Sequence, residues 1–266
     1  ITDGLTDVVR GSLVGSVVGN LLLVLGFSLA LGGRGQLDRE STFTSLGLVA
    51  FGTVLFLIPA IPALSGHPDR HSLAVVSLPV AGVLLVVYTV ATWAMLRRHR
   101  QLHRAGEPEE TVGWSLPVAL GILAAATVVT AFVAETLVHS LEAFAERAHL
   151  SDFFVAAVIV AIVGNAAEHG GAVVVAYRGR LQLAAEIALS SSAQVAVFLV
   201  PAVALLSWAI HPLALSFRPI ELAALGGSTV LVALLLGRGR SSVGRGVVLV
   251  AAYAGVATAF FIAGDR

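Results

Sequence analysis

The chain is 266 residues long, 57% hydrophobic and only 12% charged, with a formal net charge of zero and no cysteine. With a mean hydropathy of +0.93, this composition excludes a water-soluble globule that hides its apolar surface in one core. The missing thiols exclude disulfides and thiolate metal sites, and no nucleic-acid partner is expected.

Apolar runs long enough to cross about 30 Å of hydrocarbon recur between short polar loops, at 12–31, 42–64, 72–96, 114–138, 153–177, 184–209, 218–237 and 245–264. They are continuous rather than alternating, which rules out barrel strands and leaves helices as the spanning solution. The expected fold is an all-α polytopic membrane protein of eight transmembrane helices, with lipid as its first partner. The chain opens ITDGLTDVVRGSLVGS, with neither a methionine nor the charged and apolar regions of a signal peptide, so a fragment of a longer protein is expected.

The first run carries GSLVGSVVG, with Gly11, Gly15 and Gly19 at four-residue steps and Ser12, Ser16 and Asn20 in the next row. Small residues at that spacing signal close helix approach, while the oxygen-bearing row beside them suits a hard cation. After the third run come RRHRQLHRAGEPEE and a short tail, so residues 97–113 read as a linker between 1–96 and 114–266. Of sixteen basic residues, all arginine, eleven fall in alternate loops on one side: Arg34, Arg39, Arg97, Arg98, Arg100, Arg104, Arg178, Arg180, Arg238, Arg240 and Arg245. The positive-inside bias places that side, with the 97–113 linker, in the cytoplasm. Absence of lysine beside heavy use of Ala, Gly, Val and Leu suggests a GC-rich bacterial source and hence a plasma membrane.

The fourth run holds Glu135 and leads into His139, Glu142, Glu146 and His149, which share an arc of about 80° on one helix. That row is expected to be a solvated face, at most a cation-attracting mouth at Glu142 and Glu146. The fifth run reads FFVAAVIVAIVGNAAEHGGAVVVAY. Glu168 lies mid-span, where an ionised side chain costs about 2.5–3.5 kcal/mol by insertion scales, so an ion or proton site is expected. Asn165 precedes it by three residues and shares its helix face. Gly164, Gly170 and Gly171 permit either close packing or a local break in the helix. His169 points about 100° away from Glu168 and reads as a packing residue, a second layer behind the site, or a proton relay. The string EHGGA lacks the second histidine of a zincin helix. In the sixth run Ser190, Ser191, Ser192 and Gln194 repeat the polar chemistry of the first. Residues 10–26 laid over 185–201 pair Ser12 with Ile187, Ser16 with Ser191 and Gly19 with Gln194 at an offset of 175, an internal echo of the kind from which transporters are built. Glu221 opens the seventh run and, like Glu135, is a candidate relay or ion-pair partner.

GNAAEHGGAVVVAYRGRLQLAAEIALSSSAQVAVFLVP resembles the second signature of the calcium/proton exchanger branch of the calcium/cation antiporter superfamily, and GSLVGSVVGNLLLVLG resembles the latter part of the first. The resemblance spans nearly the whole chain. It implies two inverted five-helix repeats, of which this chain would hold three helices and five, with two helices and a second glutamate upstream of residue 1. It implies that Glu168 is a transport carboxylate for Ca²⁺, that Asn165, Ser191 and Gln194 support it, and that Ser16 and Asn20 are their counterparts in the first repeat. Departures are Ser190-Ser191 in place of a usual Gly-Ser, and Gly19 where a serine often precedes the asparagine. The implied activity is Ca²⁺/H⁺ antiport, with no enzyme chemistry and no resident cofactor. Na⁺/H⁺ or K⁺/H⁺ antiport and Na⁺/Ca²⁺ exchange stay open, as does a homo-oligomer. Two other classes remain: a membrane-embedded hydrolase using Glu168 and His169, and a half-transporter that completes its site with a partner chain.

Overall fold

The structure, a computed structural model, describes residues 3–65, 70–103, 115–209 and 212–264. In chain order it forms α1 (Asp3–Val18), a π-helical segment π1 (Gly19–Val24), α2 (Leu25–Gly32), α3 (Arg39–Ser65), α4 (Arg70–His103), α5 (Leu116–Ala148), α6 (Asp152–Phe154), π2 (Val155–Val160), α7 (Ala161–Gly164), α8 (Ala166–Tyr177), α9 (Leu181–Gln194), π3 (Val195–Leu199), α10 (Val200–Ser207), α11 (Pro219–Leu236) and α12 (Val243–Ala263). Among the described residues there is no strand, only an isolated bridge between Gln36 and Arg240.

Seven of these helical stretches are long and apolar enough to cross a membrane, and Asp152–Gly164 with Ala166–Tyr177 makes an eighth if the bent pair is one span. Each coincides with one of the eight apolar runs, so the chain is a multi-pass helical membrane protein. Its surface agrees: Leu234 and Ile262 are more than three-quarters exposed, as residues solvated by lipid tails can be.

Local chemistry sets the helix boundaries. Asp38 accepts from the backbone N–H groups of Glu40 and Ser41, each at 3.2 Å, and starts α3. Ser151 caps α6 through the Phe154 N–H at 3.1 Å, and Ser242 caps α12 through that of Arg245 at 3.3 Å. These side-chain acceptors satisfy donors that the first helical turn leaves free. The helix of the third run continues to His103, through arginines that favour helix and keep their charges outside the apolar segment.

The chain divides into two compact units, residues 1–89 with 151–266, and residues 90–150. In the second, Arg97 lies 3.5 Å from the ring centre of Trp93. There α5 ends at Ala148, and His149 turns left-handed (φ 54°) as the cap. His149 therefore leaves the helical row that the sequence drew through His139, Glu142 and Glu146.

The first unit has one apolar core, in which Leu21, Leu25, Val197, Phe217 and Leu249 are buried. With lipid on the outside, helices gain from close contact rather than from water exclusion, and small residues permit it. A Cβ on Gly15 would stand 2.6 Å from the carbonyl carbon of Ala157 and 2.8 Å from the Ala161 Cβ, which shows how closely α1 meets π2 and α7. At Gly246 a Cβ would lie 2.6 Å from the Gly26 oxygen, so α12 lies equally close along α2. Gly11 and Gly15 thus serve packing, while Gly19 has nothing within 4 Å.

Candidate ion-binding site

The fifth span breaks where its polar residues stand. Asn165 leaves helical geometry (φ −105°, ψ 13°), and the axes of Asp152–Gly164 and Ala166–Tyr177 meet at 56°. Among the described residues no group lies within 4 Å of a Cβ built on Gly164, Gly170 or Gly171; Gly164 adjoins the break, whereas Gly170 and Gly171 lie within the continuous α8. Asn165 is consequently the junction residue and the N-cap of the helix that carries Glu168, its carbonyl accepting from the His169 N–H at 2.9 Å. Its amide nitrogen donates to the Ala161 carbonyl at 2.9 Å and to Ser16 Oγ at 3.0 Å.

The break alters the electrostatics of the span. It makes Ala166 the start of a new helix, with Glu168 in its first turn. The helix dipole favours a carboxylate there by about 0.3–1 kcal/mol. Glu168 is exposed, whereas His169 is buried, so the two neighbouring side chains lie in different surroundings.

The first and sixth spans cross at their polar rows. Asn20 is 1% exposed and donates from its amide to Ser191 Oγ at 3.1 Å, while its Oδ1 is buried without a hydrogen-bond partner among the described residues. Ser192 Oγ donates to the Ala188 carbonyl at 2.8 Å and approaches the Val17 carbonyl at 3.4 Å. Ser16 accepts from Asn165 and donates to the Ser12 carbonyl at 2.8 Å. Ser16, Asn20, Asn165 and Ser191 are thus drawn into one crossing. Gln194 ends α9 and is exposed.

The remaining candidates lie elsewhere. Glu221 stands in the first turn of α11, 1% exposed, accepting from the Arg218 backbone N–H and lying 3.9 Å from Arg218 Nε. Glu135 and Glu146 are exposed on α5, in the second unit. Glu142 and His139 lie in α5 with side chains outside the described set, and the EPEE turn at 107–110 lies outside the described residues.

Ser192, one of the polar row read in the sixth run, contacts the opposing helix directly. The feature that escaped the sequence is the set of π-helical segments. An offset of 175 carries Gly19–Val24 onto 194–199, where π3 occupies Val195–Leu199. The echo between the two helices is therefore present in backbone geometry as well as in residue type. Segments of this kind often mark functional sites.

The sequence matches the family described as "Sodium/calcium exchanger protein" over residues 1–97 and 118–262. It is similar to the Ca²⁺/H⁺ antiporter ChaA of Bacillus subtilis, 34% identical over 274 residues that cover 98% of this chain and 77% of the relative. The Ca²⁺/H⁺ antiporter of Synechocystis is 33% identical over 287 residues, with the same coverage. Among solved structures, native YfkE superposes with a TM-score of 0.81 at 33% identity, over 98% of this chain and 77% of that one. The H⁺/Ca²⁺ exchanger CAX superposes with a TM-score of 0.62 at 15% identity, over 98% and 70%, and shares the fold.

Proposed function

The chain belongs to the sodium/calcium exchanger protein family, a family of transporters and not enzymes, and from that premise we propose that it exchanges Ca²⁺ for H⁺ across a bacterial plasma membrane. The observation that carries this reading is the broken fifth span, which sets Glu168 at a new helix start beside the crossing of Ser16, Asn20, Asn165 and Ser191. The relatives above are Ca²⁺/H⁺ antiporters by name, which supports the choice of ions. The arginine-rich loops, including 97–113, are assigned to the cytoplasmic side.

The mechanism follows from the donor groups. Ca²⁺ takes 6–8 oxygen ligands, and leaving water for the middle of a bilayer requires anionic oxygen in compensation. Glu168 supplies the charge. Ser16 and Ser191 accept from the amide nitrogens of Asn165 and Asn20, which turns each amide oxygen away from the serine and leaves it for the cation. Gln194, at the end of α9, adds a further amide. Protons compete with Ca²⁺ for the carboxylate, so the site holds one or the other, and alternating access converts that competition into exchange. His169 backs the site from the buried side, while Glu142 and Glu146 attract cations from solution.

The test is Ca²⁺ uptake by inside-out vesicles holding the full-length protein under an imposed pH gradient, with Glu168→Gln and His169→Ala alongside. Gradient-driven uptake abolished by the first substitution and largely retained with the second supports the reading. Uptake that survives Glu168→Gln, or Na⁺ or K⁺ exchange without Ca²⁺ exchange, overturns it.

A further inference from the structure

Residues 212–218 lead into α11 without regular structure, yet Leu213, Leu215, Ser216 and Phe217 are all buried. Side chains of neighbouring helices hold this strap. The Leu213 N–H donates to Ser207 Oγ and that of Leu215 to Ser77 Oγ, each at 2.9 Å. The rings of Phe217 and Phe56 lie 4.8 Å apart. Arg10, on α1, donates to the Ser216 carbonyl at 2.9 Å. Arg218, 8% exposed, closes the strap: it donates to the Gly264 carbonyl at 2.9 Å, covers the Phe153 ring at 3.5 Å and pairs with Glu221.

We propose that residues 212–218, fastened by Arg10 and Arg218, are a clasp that shuts one end of the ion pathway and releases once in every transport cycle. The argument rests on the exchange reading above, because only alternating access obliges an end to open. Three features point to this end. First, the clasp grips both strands of the crossing: Arg10 precedes Ser16 by six residues, about 9 Å along the helix, and Phe153 precedes Asn165 by twelve, about 18 Å. Second, its anchors are side chains and loop carbonyls, which water can replace one by one without unwinding a helix. Third, Arg218 reaches out of the strap to the Gly264 carbonyl and the Phe153 ring, so the contacts that must part on opening are gathered on one side chain.

Residues 1–266 contain no cysteine, so with any cysteine elsewhere in the full-length protein replaced by serine the introduced thiols are the targets. Arg10 on α1 and Ser216 in the strap meet within hydrogen-bonding distance, 2.9 Å from the guanidinium to the Ser216 carbonyl. Arg10→Cys with Ser216→Cys, joined by a short bis-methanethiosulfonate in full-length protein, should lose at least tenfold in Ca²⁺ uptake and recover with dithiothreitol. Cross-linked protein that transports at the unlinked rate overturns the clasp. Independently, Arg218→Gln in a Phe153→Cys background should raise labelling by a membrane-impermeant maleimide at least tenfold over Phe153→Cys alone. Unchanged labelling also overturns it, and this arm reads whether or not Ca²⁺ is the cargo. Failure of the unlinked protein to move Ca²⁺ counts against the exchange reading, with the labelling still deciding the clasp.

Discussion

Replacing Gly15 by alanine tests whether the crossing depends on contact between backbones. The new Cβ would fall 2.6 Å from the Ala157 carbonyl carbon and 2.8 Å from the Ala161 Cβ, with the Ala157 oxygen closer still. Carbon atoms settle at about 3.5–4.0 Å, so α1 and the helix opposite must separate by at least about 1 Å. Neither contact is the end of a flexible side chain, hence no rotamer change absorbs the strain. Overpacking of this kind costs about 1–3 kcal/mol, the upper part of that range being expected where backbone must move. The functional effect should exceed the loss of stability. Ser16 is the next residue, and its 3.0 Å bond from Asn165 stretches past hydrogen-bonding range under a shift of that size. Gly19→Ala is the control, since nothing lies within 4 Å of its Cβ. The assay pairs initial rates of Ca²⁺ uptake in vesicles with the melting temperature in detergent. Gly15→Ala should lose at least tenfold in rate and melt lower, with Gly19→Ala near wild type in both. Equal behaviour of the two variants would refute the reasoning.

Three further outcomes follow. Asn20→Ala and Ser191→Ala should be coupled in a double-mutant cycle on detergent stability by about 0.5–1.5 kcal/mol, the net worth of a hydrogen bond; strictly additive effects would show that their 3.1 Å contact contributes nothing. Glu221→Ala leaves the Arg218 guanidinium without its buried carboxylate and should destabilise by about 3–5 kcal/mol, read as a lower melting temperature, with Glu221→Gln intermediate because an amide oxygen can still accept from the Arg218 N–H. Because protons and Ca²⁺ compete for one carboxylate, lowering pH on the Ca²⁺ side should raise the Ca²⁺ concentration at half-maximal rate and leave the maximal rate nearly unchanged; a half-maximal concentration independent of pH would contradict competition at the site.

Much of the architecture was legible because a bilayer permits so few solutions. A span needs about 20 apolar residues and satisfied backbone groups, and the eight runs read from the sequence are the eight helical stretches of the structure. GNAAEH stood out for the complementary reason, since a carboxylate in a lipid-depth segment is costly unless it is partnered or used. Other features had no readable signal. A π-helical segment adds a fraction of a residue to each turn, and in an all-apolar run such as VAVFLVP no polar stripe exists to show the slip. Gly164 allowed a break without indicating that Asn165 would be its pivot, because that choice depends on Ser16, 149 residues away in sequence. The row ending at His149 had helical spacing, but periodicity cannot show that the last member turns left-handed and ends the helix. The 212–218 clasp reads as an ordinary loop, since its partners come from α1, α4, α10 and α12.

The offset of 175 links the sequence echo to the geometry of the site. Ser192 approaches the carbonyl of Val17 at 3.4 Å, and the two differ by 175. A residue that touches its own counterpart lies on the axis relating two copies, as in an isologous interface. The pseudo-two-fold axis that inverted repeats imply therefore passes between the first and sixth spans at Val17 and Ser192. Ser16 and Ser191 flank the axis as a related pair, and each accepts from one asparagine amide. The donors are not related in this way, since Asn165 comes from the broken span and Asn20 from the first span itself. Symmetry thus fixes the two hydroxyls, while the asparagines supply the asymmetry. A tilt of α1 about the axis loosens the Ser16 and Ser191 contacts together, but only the Asn165 contact is tied to the helix start that holds Glu168. That hydrogen bond, the one that Gly15→Ala is designed to break, adds to the direct packing of Gly15 on Ala157 and Ala161 in tying the motion of α1 to the helix start that carries Glu168.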